Sequence, residues 1–416
     1  MIIARLRYYV SKIRSAWRSG TLIERLNRKI GSSFGASCVV LWKYTRLSPS
    51  DRNLPVAAGF ADARRGASGR ARGDRVIFER ICAAYSAACR AAASAEPPYR
   101  IRGIWAEWLK VNYGPLTEAL TSGDYERTLS LLENFAREQF AVGTGGSYDE
   151  LVRYRHSPFG RMYVKSVWCD YRDRLAATGF DLSRVIYPAV GNPAGIPLNG
   201  NTIQIDTLRH AHHASEICGL LGRAESPVVV EIGGGFGGQA HQIITQWHQA
   251  GRRAGQYLDF DIPEIQVVAS YFLLKAFPEQ KICLFGEGGP SDSFAIGLFP
   301  HFTIDTLVDR SADLMFNSYS FSEMDGNAAL HYLAVVNRAC RTYFMHINHE
   351  TPFRFREPDG SVSENVVGSK IVPDRGHFRL VQKLPAVFKR PESGPYKSFS
   401  YLFERVWDHQ RLDESV

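Results

Sequence analysis

The sequence predicts an α/β fold, a Rossmann-like, doubly wound and mostly parallel sheet with a helical region N-terminal to it. Two observations carry this prediction. Residues 227–238, PVVVEIGGGFGG, run from an apolar strand through a glycine-rich turn into a helix. Apolar strands and amphipathic helices then alternate to the end of the chain, which is typical of a parallel sheet with helices on both faces. The ligand site of such a sheet lies beyond the carboxyl ends of its strands.

The first strand and its turn are the strongest local signal. The run VVVEI at Val228–Ile232 is continuously apolar except for one acid, as a strand covered on both faces requires. Five of the next six residues are glycines, which allow a sharp turn and a close approach of a ligand to the backbone. A helical pattern starts at Gly238. A strand, a glycine turn and a helix N-terminus in this order indicate a nucleotide-type cofactor site.

Two kinds of cofactor fit these glycines. Gly233, Gly235 and Gly238 match the dinucleotide pattern GxGxxG, and Asp259 lies where its ribose-binding acid is expected. The same stretch matches an acid-x-G-x-G-x-G pattern like that of the S-adenosylmethionine (SAM) loop of class I methyltransferases, through Glu231, Gly233, Gly235 and Gly237. An acid at the end of the strand suits SAM, which carries a sulfonium and an amino group, and does not suit a pyrophosphate. The glycines alone leave both cofactors open.

The second strand supports a nucleoside site of either kind. Residues 256–261, QYLDFD, are predicted as this strand, and Pro263 opens the following helix. Asp259 and Asp261 share one face of the strand because strand side chains alternate. We predict that Asp261, and less strongly Asp259, accepts hydrogen bonds from a ribose. The alternative role for Asp261 is the N-cap of the helix.

Further strands and helices follow in alternation. Residues 281–285 are predicted as the third strand and residues 312–317 as the fourth. A helix at 327–341 leads into a fifth strand at 342–347, and a closing pair of strands is predicted at 378–384 and 398–406.

Several segments in this order resemble the sugar O-methyltransferases among the class I SAM-dependent enzymes. They are EIGGGFGG, YLDFDIPE, FNSYSFSEM and FMHINHE, with an upstream GNP at 191–193, and the resemblance runs from about residue 187 to the C-terminus. It implies a class I methyltransferase-type fold, SAM as cofactor, and methyl transfer to a sugar or glycan hydroxyl in glycan biosynthesis. It places the methionine part of SAM at Glu231 and the glycines, the ribose at Asp261, and the adenine near Glu287. The predicted cofactor site comprises Glu231, Gly233, Gly234, Gly235, Phe236, Gly237, Asp259, Asp261, Glu287, Asn317 and Ser318.

A sugar hydroxyl needs a general base, and the ends of the fourth and fifth strands offer candidates. Glu323 follows the fourth strand, and His346, His349 and Glu350 lie at the end of the fifth. Histidine titrates nearest to neutral pH, and His349 is favoured because it lies just past the strand. A divalent metal held by His346, His349 and Glu350 is an alternative, but their spacing is not diagnostic and no metal is predicted.

A second group of histidines precedes the first strand. His210, His212 and His213 occur in LRHAHHAS, which is predicted to form a helix across the cofactor cleft. A solvated or capping helix is favoured there over substrate contact and over metal binding.

Charge divides the chain into unequal parts. Residues 1–110 hold 21 lysines and arginines against 7 acidic residues. The predicted division is a basic helical segment at 1–60, a Gly/Arg-rich loop or linker at 61–75, a helical cap or substrate region at 76–225 and the SAM-binding domain at 226–416. A docked helix is favoured for the amphipathic N-terminus. The alternative is peripheral contact of residues 1–30 with an anionic membrane surface. Nucleic acid is not an expected partner, because no binding motif accompanies the arginines.

Composition limits the remaining function classes. The 7 cysteines form no CxxC pair, and no stretch of about 20 apolar residues occurs. A cytoplasmic protein is expected, with peripheral attachment at the inner membrane face as the alternative. Two functional alternatives stay open, an NAD(P)-dependent oxidoreductase that uses the same glycine turn and a non-catalytic glycan-binding or assembly module. The sequence predicts no oligomeric state.

Overall fold

The structure is a computed structural model that describes most of the chain. The described residues are 41–56, 72–95, 97–138, 140, 158–193, 195–198, 200–222, 224–251, 255–356, 360–388 and 397–406. The predicted basic helix near the N-terminus and most of the predicted loop at 61–75 lie outside these ranges.

Eight strands form the central sheet, and two short hairpins lie apart from it. The hairpins are β1 with β2 and β9 with β10, and the sheet has the order β11-β12-β8-β7-β3-β4-β6-β5. Six neighbouring strands of this sheet, β8, β7, β3, β4, β6 and β5, are parallel. The strand β12 pairs antiparallel with both β8 and β11. The strands are β1 Gly195–Leu198, β2 Asn201–Gln204, β3 Val228–Ile232, β4 Gln256–Asp261, β5 Ile282–Leu284, β6 Ile296–Pro300, β7 Ala312–Ser318, β8 Cys340–His349, β9 Arg354–Arg356, β10 Val362–Glu364, β11 Phe378–Pro385 and β12 Ser398–Arg405.

Helices surround this sheet, and several of them precede it in the chain. Among the described residues they are α1 Pro49–Arg52, α2 Arg72–Ala92, α3 Gly103–Trp108, α4 Gly114–Thr121, α5 Tyr125–Glu133, α6 Pro158–Ala177, α7 Thr207–Leu220, α8 Gly238–Gln249, α9 Pro263–Ala276 and α10 Gly326–Ala339. A π-helical turn, Leu109–Tyr113, joins α3 to α4. The helix α2 packs against α9 and β5, so the N-terminal helices extend the layer on one face of the sheet.

The core lies on both faces of the sheet, as the continuous apolar run in β3 predicts. Val229 belongs to one buried cluster together with residues of α8 and α9, and Val230 belongs to a second cluster with residues of α10. Neighbouring side chains of a strand point to opposite faces, so the two clusters are the two sides of one sheet. The predicted doubly wound, mostly parallel fold is confirmed.

The predicted strands and helices agree with the structure except near β5. The predicted third strand at 281–285 is β5, but it lies at the edge of the sheet and does not contact β4. An unpredicted strand, β6, lies between them and pairs with both. Gly297 and a terminal Pro300 made β6 a weak strand signal, because both residue types are depleted in strands.

Two further predictions concern the N-terminal part. The helix α2 begins at Arg72, so the end of the loop predicted at 61–75 is helical. No helix among the described residues combines the length and the apolar character needed to cross a membrane. The predicted domain boundaries stay predictions.

Candidate active site

A deep concave site opens at the carboxyl ends of β3, β4, β7 and β8. It has a volume of about 390 Å³, and its floor is the glycine turn after β3. The chain leaves β3 towards β4 on one side and returns at β7 on the other side, so the crevice lies at a topological switch point. Ligands of open α/β sheets bind at such a point.

The turn that forms the floor has an unusual backbone. Gly233, Gly235 and Gly237 have φ values of 77°, 62° and 87°, in the left-handed region. A Cβ at Gly235 would meet no atom within 4 Å, so this residue faces open space, and Gly233, Gly234, Gly235 and Phe236 all line the cavity. Gly237 does not line it and instead precedes α8. The backbone at Gly235 is therefore accessible to a ligand without steric cost.

Two buried aspartates at the end of β4 hold the turn in place. The N–H of Gly234 donates to Asp259 Oδ1 over 3.0 Å, and the N–H of Gly235 donates to Asp261 Oδ2 over 2.8 Å. Asp261 also accepts from the N–H of Ile262 over 2.7 Å. Asp261 lines the cavity, whereas Asp259 lies behind the turn. The structure therefore favours Asp261 over Asp259 for direct contact with a ligand, in the order the sequence predicts.

Glu231 completes a cluster of three buried carboxyl groups. It lines the cavity and accepts a short hydrogen bond from the hydroxyl of Tyr257. Burial raises the pKa of Glu231 to about 8, and the nearby Asp261 adds to the rise. Burial likewise raises the pKa of Asp261 to about 7 and that of Asp259 well above its usual range. The floor of the cavity therefore carries buried carboxyl groups with too little positive charge nearby to keep them ionised, which favours a cationic ligand.

One wall of the cavity contains residues that the sequence analysis did not single out. Arg209 of α7 is partly buried, lies 3.7 Å from Asp206 and places its guanidinium 5.4 Å from the centre of the Tyr319 ring. Tyr319 has φ 70°, a left-handed backbone that is rare for a non-glycine residue. Such strained residues cluster at functional sites. The one signal in the sequence that could have pointed to Tyr319 was its position directly after the end of β7.

The favoured base, His349, is placed at the cavity. It is the last residue of β8, and its ring lies 5.1 Å from that of Tyr319. Its Nδ1 is 2.8 Å from Ser398 Oγ of β12, and this contact fixes the ring orientation. In the tautomer whose Nδ1 donates its proton to Ser398 Oγ, Nε2 carries the lone pair of the ring.

His346 and Glu350 are not brought to the cavity, and their predicted roles are corrected. His346 is fully buried, its Nε2 is 2.9 Å from the carbonyl oxygen of Ile371, and its ring stacks on Tyr401. Burial lowers the pKa of His346 to about 3, so it stays neutral. Glu350 accepts hydrogen bonds from the hydroxyls of Tyr401 and Ser369. The metal trio of His346, His349 and Glu350 is therefore not assembled.

The residues after β7 divide between the cavity and its support. Ser318 and Glu323 line the cavity. Asn317 is buried below it, where its side chain donates to the carbonyl oxygen of Ile232 over 2.8 Å and accepts from Asn348 Nδ2 over 2.8 Å. Asn317 therefore links the ends of three neighbouring strands and does not line the cavity itself.

Glu287 is also corrected, since it lies outside the cavity. Both of its carboxylate oxygens accept from Arg80 of α2, at 2.6 and 2.7 Å. The cause is the intervening strand β6, which moves the end of β5 one strand away from β4. His301, which directly follows β6, lines the cavity at the place predicted for Glu287.

The segment at residues 98–108 covers the cavity opposite the sheet. Tyr99, Trp105 and Trp108 line it, and Trp105 Nε1 donates to Glu323 over 2.9 Å. The hydroxyl of Tyr99 donates to Asp305 over 2.7 Å, which joins this segment to the loop after β6. A cap from the region N-terminal to the sheet was expected from the sequence, but the residues that form it were not identified.

The histidines of α7 have different environments. His210 lines the cavity. Among the described residues, His212, His213 and Glu216 form the group whose ligand atoms lie within 4.8 Å of one another, close enough for a metal ion. Burial lowers the pKa of His212 to about 4, and Glu216 lies 3.2 Å from His213 Nδ1.

Comparisons with known proteins give partial structural likenesses. No family model matches the chain, and no curated protein matches it significantly. The 1,6-didemethyltoxoflavin-N1-methyltransferase of Burkholderia thailandensis, solved with S-adenosylhomocysteine, is 15% identical and has a TM-score of 0.32. The match covers 48% of this chain and 79% of that one.

Two other solved structures show a similar degree of likeness. The magnesium protoporphyrin IX methyltransferase of Synechocystis PCC 6803 with bound SAM is 15% identical, with a TM-score of 0.32 over 57% of this chain and 97% of that one. A SAM-dependent methyltransferase of Aquifex aeolicus is 16% identical, with a TM-score of 0.30 over 46% and 89%. The ligands and substrates in these names belong to those proteins.

Proposed function

We propose that the chain is a SAM-dependent O-methyltransferase that acts on a sugar hydroxyl. The observation that carries the proposal is the buried carboxyl of Glu231, whose pKa is raised to about 8, beside the open backbone of Gly235. A cationic group bound there would replace the proton of Glu231 and form an ion pair out of bulk water. The amino group of SAM is such a cation, and Asp261 lies beside the same turn to accept from its ribose.

The same geometry opposes a dinucleotide. A pyrophosphate on this turn would face Glu231 and Asp261, and its charge would oppose their ionisation further. Like charges held together in a buried site are strongly unfavourable. A SAM site therefore agrees with the cluster of carboxyl groups, and an NAD(P) site does not.

The chemistry requires few protein groups. When bound, SAM supplies a methyl group on a positively charged sulfur, which is already a good leaving group. The protein must hold the acceptor hydroxyl against that methyl group, which is positioning work. His349 would accept the hydroxyl proton at Nε2, while Ser398 keeps the ring oriented through Nδ1. Tyr319 and Arg209 form the neighbouring wall.

The cap supports a sugar as the acceptor. Trp105 and Trp108 present two aromatic rings to the cavity at a centroid separation of 5.7 Å. An aromatic face packs well against the apolar C–H face of a sugar ring, while Glu323 beside it can accept from sugar hydroxyls.

Calorimetric titration tests the cofactor. The purified chain is titrated with SAM, with S-adenosylhomocysteine and with NADH. We expect binding of both sulfur nucleosides and none of NADH, and tight NADH binding with no response to SAM would refute the proposal. Mass spectrometry of glycans from cells with and without the protein then tests the acceptor, since loss of a one-methyl mass increment from a glycan identifies the substrate class.

A further inference from the structure

Two arginines of the cap border the mouth of the cavity. Arg100 and Arg102 both line the cavity and are exposed to solvent. Within the described ranges, neither side chain makes an ion pair or a hydrogen bond. Other arginines around the sheet are paired with acids, as Arg80 is with Glu287 and Arg341 is with Asp313. Two uncompensated guanidinium groups therefore face the opening of the candidate active site.

The backbone that carries these arginines is held firmly. Gly103, directly after them, has φ 60°, and a Cβ there would lie 2.5 Å from the ring of Phe355. On the other side, the hydroxyl of Tyr99 is bonded to Asp305, and its carbonyl oxygen lies 2.8 Å from His301 Nε2. The arginines therefore extend from a braced segment, which lowers the entropic cost of binding through them.

The acids near the mouth are already engaged in other contacts. Glu323 accepts from Trp105 Nε1 over 2.9 Å. Asp325 accepts from the N–H groups of Asn327 and Ala328, at 2.8 and 3.0 Å, where it caps α10. The mouth therefore carries charges of both signs, but its two acids are already held by neutral N–H donors, whereas the guanidinium groups are exposed. The floor of the same cavity holds the buried carboxyl groups around Glu231.

We propose that Arg100 and Arg102 bind phosphate groups of the acceptor, so that the substrate is a sugar carried on a phosphate or diphosphate. This inference rests on the function proposed above and names the class of its acceptor. A guanidinium group presents a planar pair of N–H donors that matches two phosphate oxygens, and two such groups match a diphosphate.

The polarity of the cavity also sets the orientation of this acceptor. A phosphate at the floor would oppose the ionisation of the buried carboxyl groups there, so the phosphate stays at the mouth and the sugar points inward. Trp105 and Trp108 of the cap also line the cavity and can pack against the sugar ring. The hydroxyl to be methylated is then the part of the acceptor that reaches His349.

Titration with pyrophosphate tests the proposal on the full-length protein. It is performed by calorimetry at low salt without divalent metal, with and without saturating S-adenosylhomocysteine, on the parent chain and on the double variant Arg100→Gln/Arg102→Gln. We expect the double variant to bind pyrophosphate about ten- to a hundredfold more weakly, the range produced by losing charge-assisted hydrogen bonds. Arg90→Gln is the matched control, because Arg90 is an exposed arginine of α2 away from the cavity. The Arg90→Gln protein should bind pyrophosphate as tightly as the parent chain.

The two proposals can fail separately. Equal pyrophosphate binding by the double variant, or no binding by the parent chain, overturns the phosphate site, even where S-adenosylhomocysteine binds normally. A different result is that the protein binds no S-adenosylhomocysteine, while its pyrophosphate binding still depends on the two arginines. That result refutes the methyltransferase proposal and, with it, the acceptor role that we assign to the arginines. Uridine diphosphate and farnesyl diphosphate distinguish the two sources of the phosphate. Tighter binding of the first indicates a nucleotide-linked sugar, and tighter binding of the second indicates a lipid-linked one.

Discussion

Glu231 is the residue on which the cofactor proposal depends. A buried carboxyl that is protonated at neutral pH is an expensive feature, and Tyr257 only partly relieves it by donating one hydrogen bond. Buried groups with strongly shifted pKa values occur often at functional sites. The arrangement becomes favourable when a cation enters the cavity and the carboxyl ionises against it.

Proton release on cofactor binding is the first prediction. Burial raises the pKa of Glu231 to about 8, so at pH 7 the free protein retains a proton in the cluster that Glu231 forms with Asp259 and Asp261. Binding of the SAM amino group should lower that pKa and expel about one proton. Titration of SAM in two buffers of different ionisation enthalpy measures this number directly.

Glu231→Gln is the variant that isolates this effect. The amide keeps the shape of the side chain and can still accept from Tyr257, but it cannot ionise. We expect the proton release to vanish and SAM affinity to fall about ten- to a hundredfold, as for other lost charge-assisted contacts. Unchanged affinity together with unchanged proton release would assign the titrating group to another residue.

His349→Ala is the second prediction. Loss of a general base lowers the rate typically by about 10²–10⁴-fold, while a residue that does not hold the cofactor leaves its affinity alone. We expect methyl transfer from SAM to collapse and the S-adenosylhomocysteine affinity to stay within about threefold, a modest change on the free-energy scale. His248→Ala, at an exposed histidine of α8, is the control and should retain activity. Full activity of the His349 variant would exclude it as the base.

His346 shows what the sequence could not predict, namely which side chains cover each of the two histidines in the folded sheet. Strand alternation correctly separates the faces of His346 and His349. It does not show that β12 covers His346, because Tyr401 lies far along the chain and pairs with it only in the folded sheet. His349 also pairs with β12, opposite Ser398, but it lies at the end of β8 and lines the cavity. The position at the end of the strand was therefore the useful signal.

At the scale of elements, the glycine turn makes the site accessible. Gly235 combines a φ of 62° with open space where a side chain would begin. Glycine is required here for two separate reasons. It adopts the left-handed backbone without strain, and it leaves the space in front of the turn free for a ligand. A matched pair of variants can separate them.

Gly235→Ala and Gly251→Ala form that pair and give the third prediction. Gly251 has nearly the same backbone, with φ 64°, and also has no neighbour within 4 Å, but it is exposed after α8 and away from the cavity. Both variants should lower the free energy of unfolding by about 1–2 kcal/mol, the cost of a left-handed alanine. Only Gly235→Ala should also weaken SAM binding, by more than about tenfold, because its methyl group enters the ligand space.

Denaturant unfolding and nucleoside titration of both proteins check this pair. Equal loss of nucleoside affinity in the two variants would mean that destabilisation alone explains it. Normal affinity in the Gly235 variant would place the ligand away from the turn.

Local signals predicted β3, its turn, α8 and β4, because each is set by neighbouring residues. The apolar run, the glycines and Pro263 act within a few positions of where they occur. The order of strands at the edge was not predictable in this way. Gly297 is tolerated in β6 because the rings of Phe294 and Phe299 fill its space, a contact that no periodicity reveals. The misplacement of Glu287 follows from this one missed strand.

At the scale of the whole molecule, the cavity is assembled from distant parts of the chain. Tyr99 and Asp305, which attach the cap to the sheet, are 206 residues apart, and Trp105 and Glu323 are 218 apart. The composition of either segment gives no indication of the other. The sheet and the floor of the site were therefore predictable from the sequence, while the cap, Arg209 and Tyr319 required the fold.

The carboxyl cluster also affects the stability of the entire protein, which is the fourth prediction. Glu231 and Asp261 have folded pKa values of about 8 and about 7, above the ordinary 4.5 and 3.8. Between those limits the folded state keeps protons that the unfolded state has released, so stability falls as pH rises. Paired acids such as Glu216 and Glu287 have lowered pKa values and act oppositely, losing stability as pH falls through their ordinary range.

Buried histidines such as His212 and His346 have pKa values lowered to about 4 and about 3, so they lose stability as pH falls through their ordinary 6.5. Above about pH 7 the histidines are neutral in both states, so the ligand-free protein should melt at a higher temperature at pH 7 than at pH 8.

The cofactor should reduce this loss, because a bound cation favours the ionised carboxyl groups. The stabilisation by saturating SAM, measured as a shift of the melting temperature, should therefore be larger at pH 8 than at pH 6. Glu231→Gln should flatten the decline of the ligand-free protein and raise its melting temperature at pH 8, while it binds SAM more weakly. A ligand-free protein that melts higher at pH 8 than at pH 7, in both the parent and the variant, would show that these carboxyl groups are not buried as a cluster. The floor of the site would then lack the negative charge on which cation binding depends.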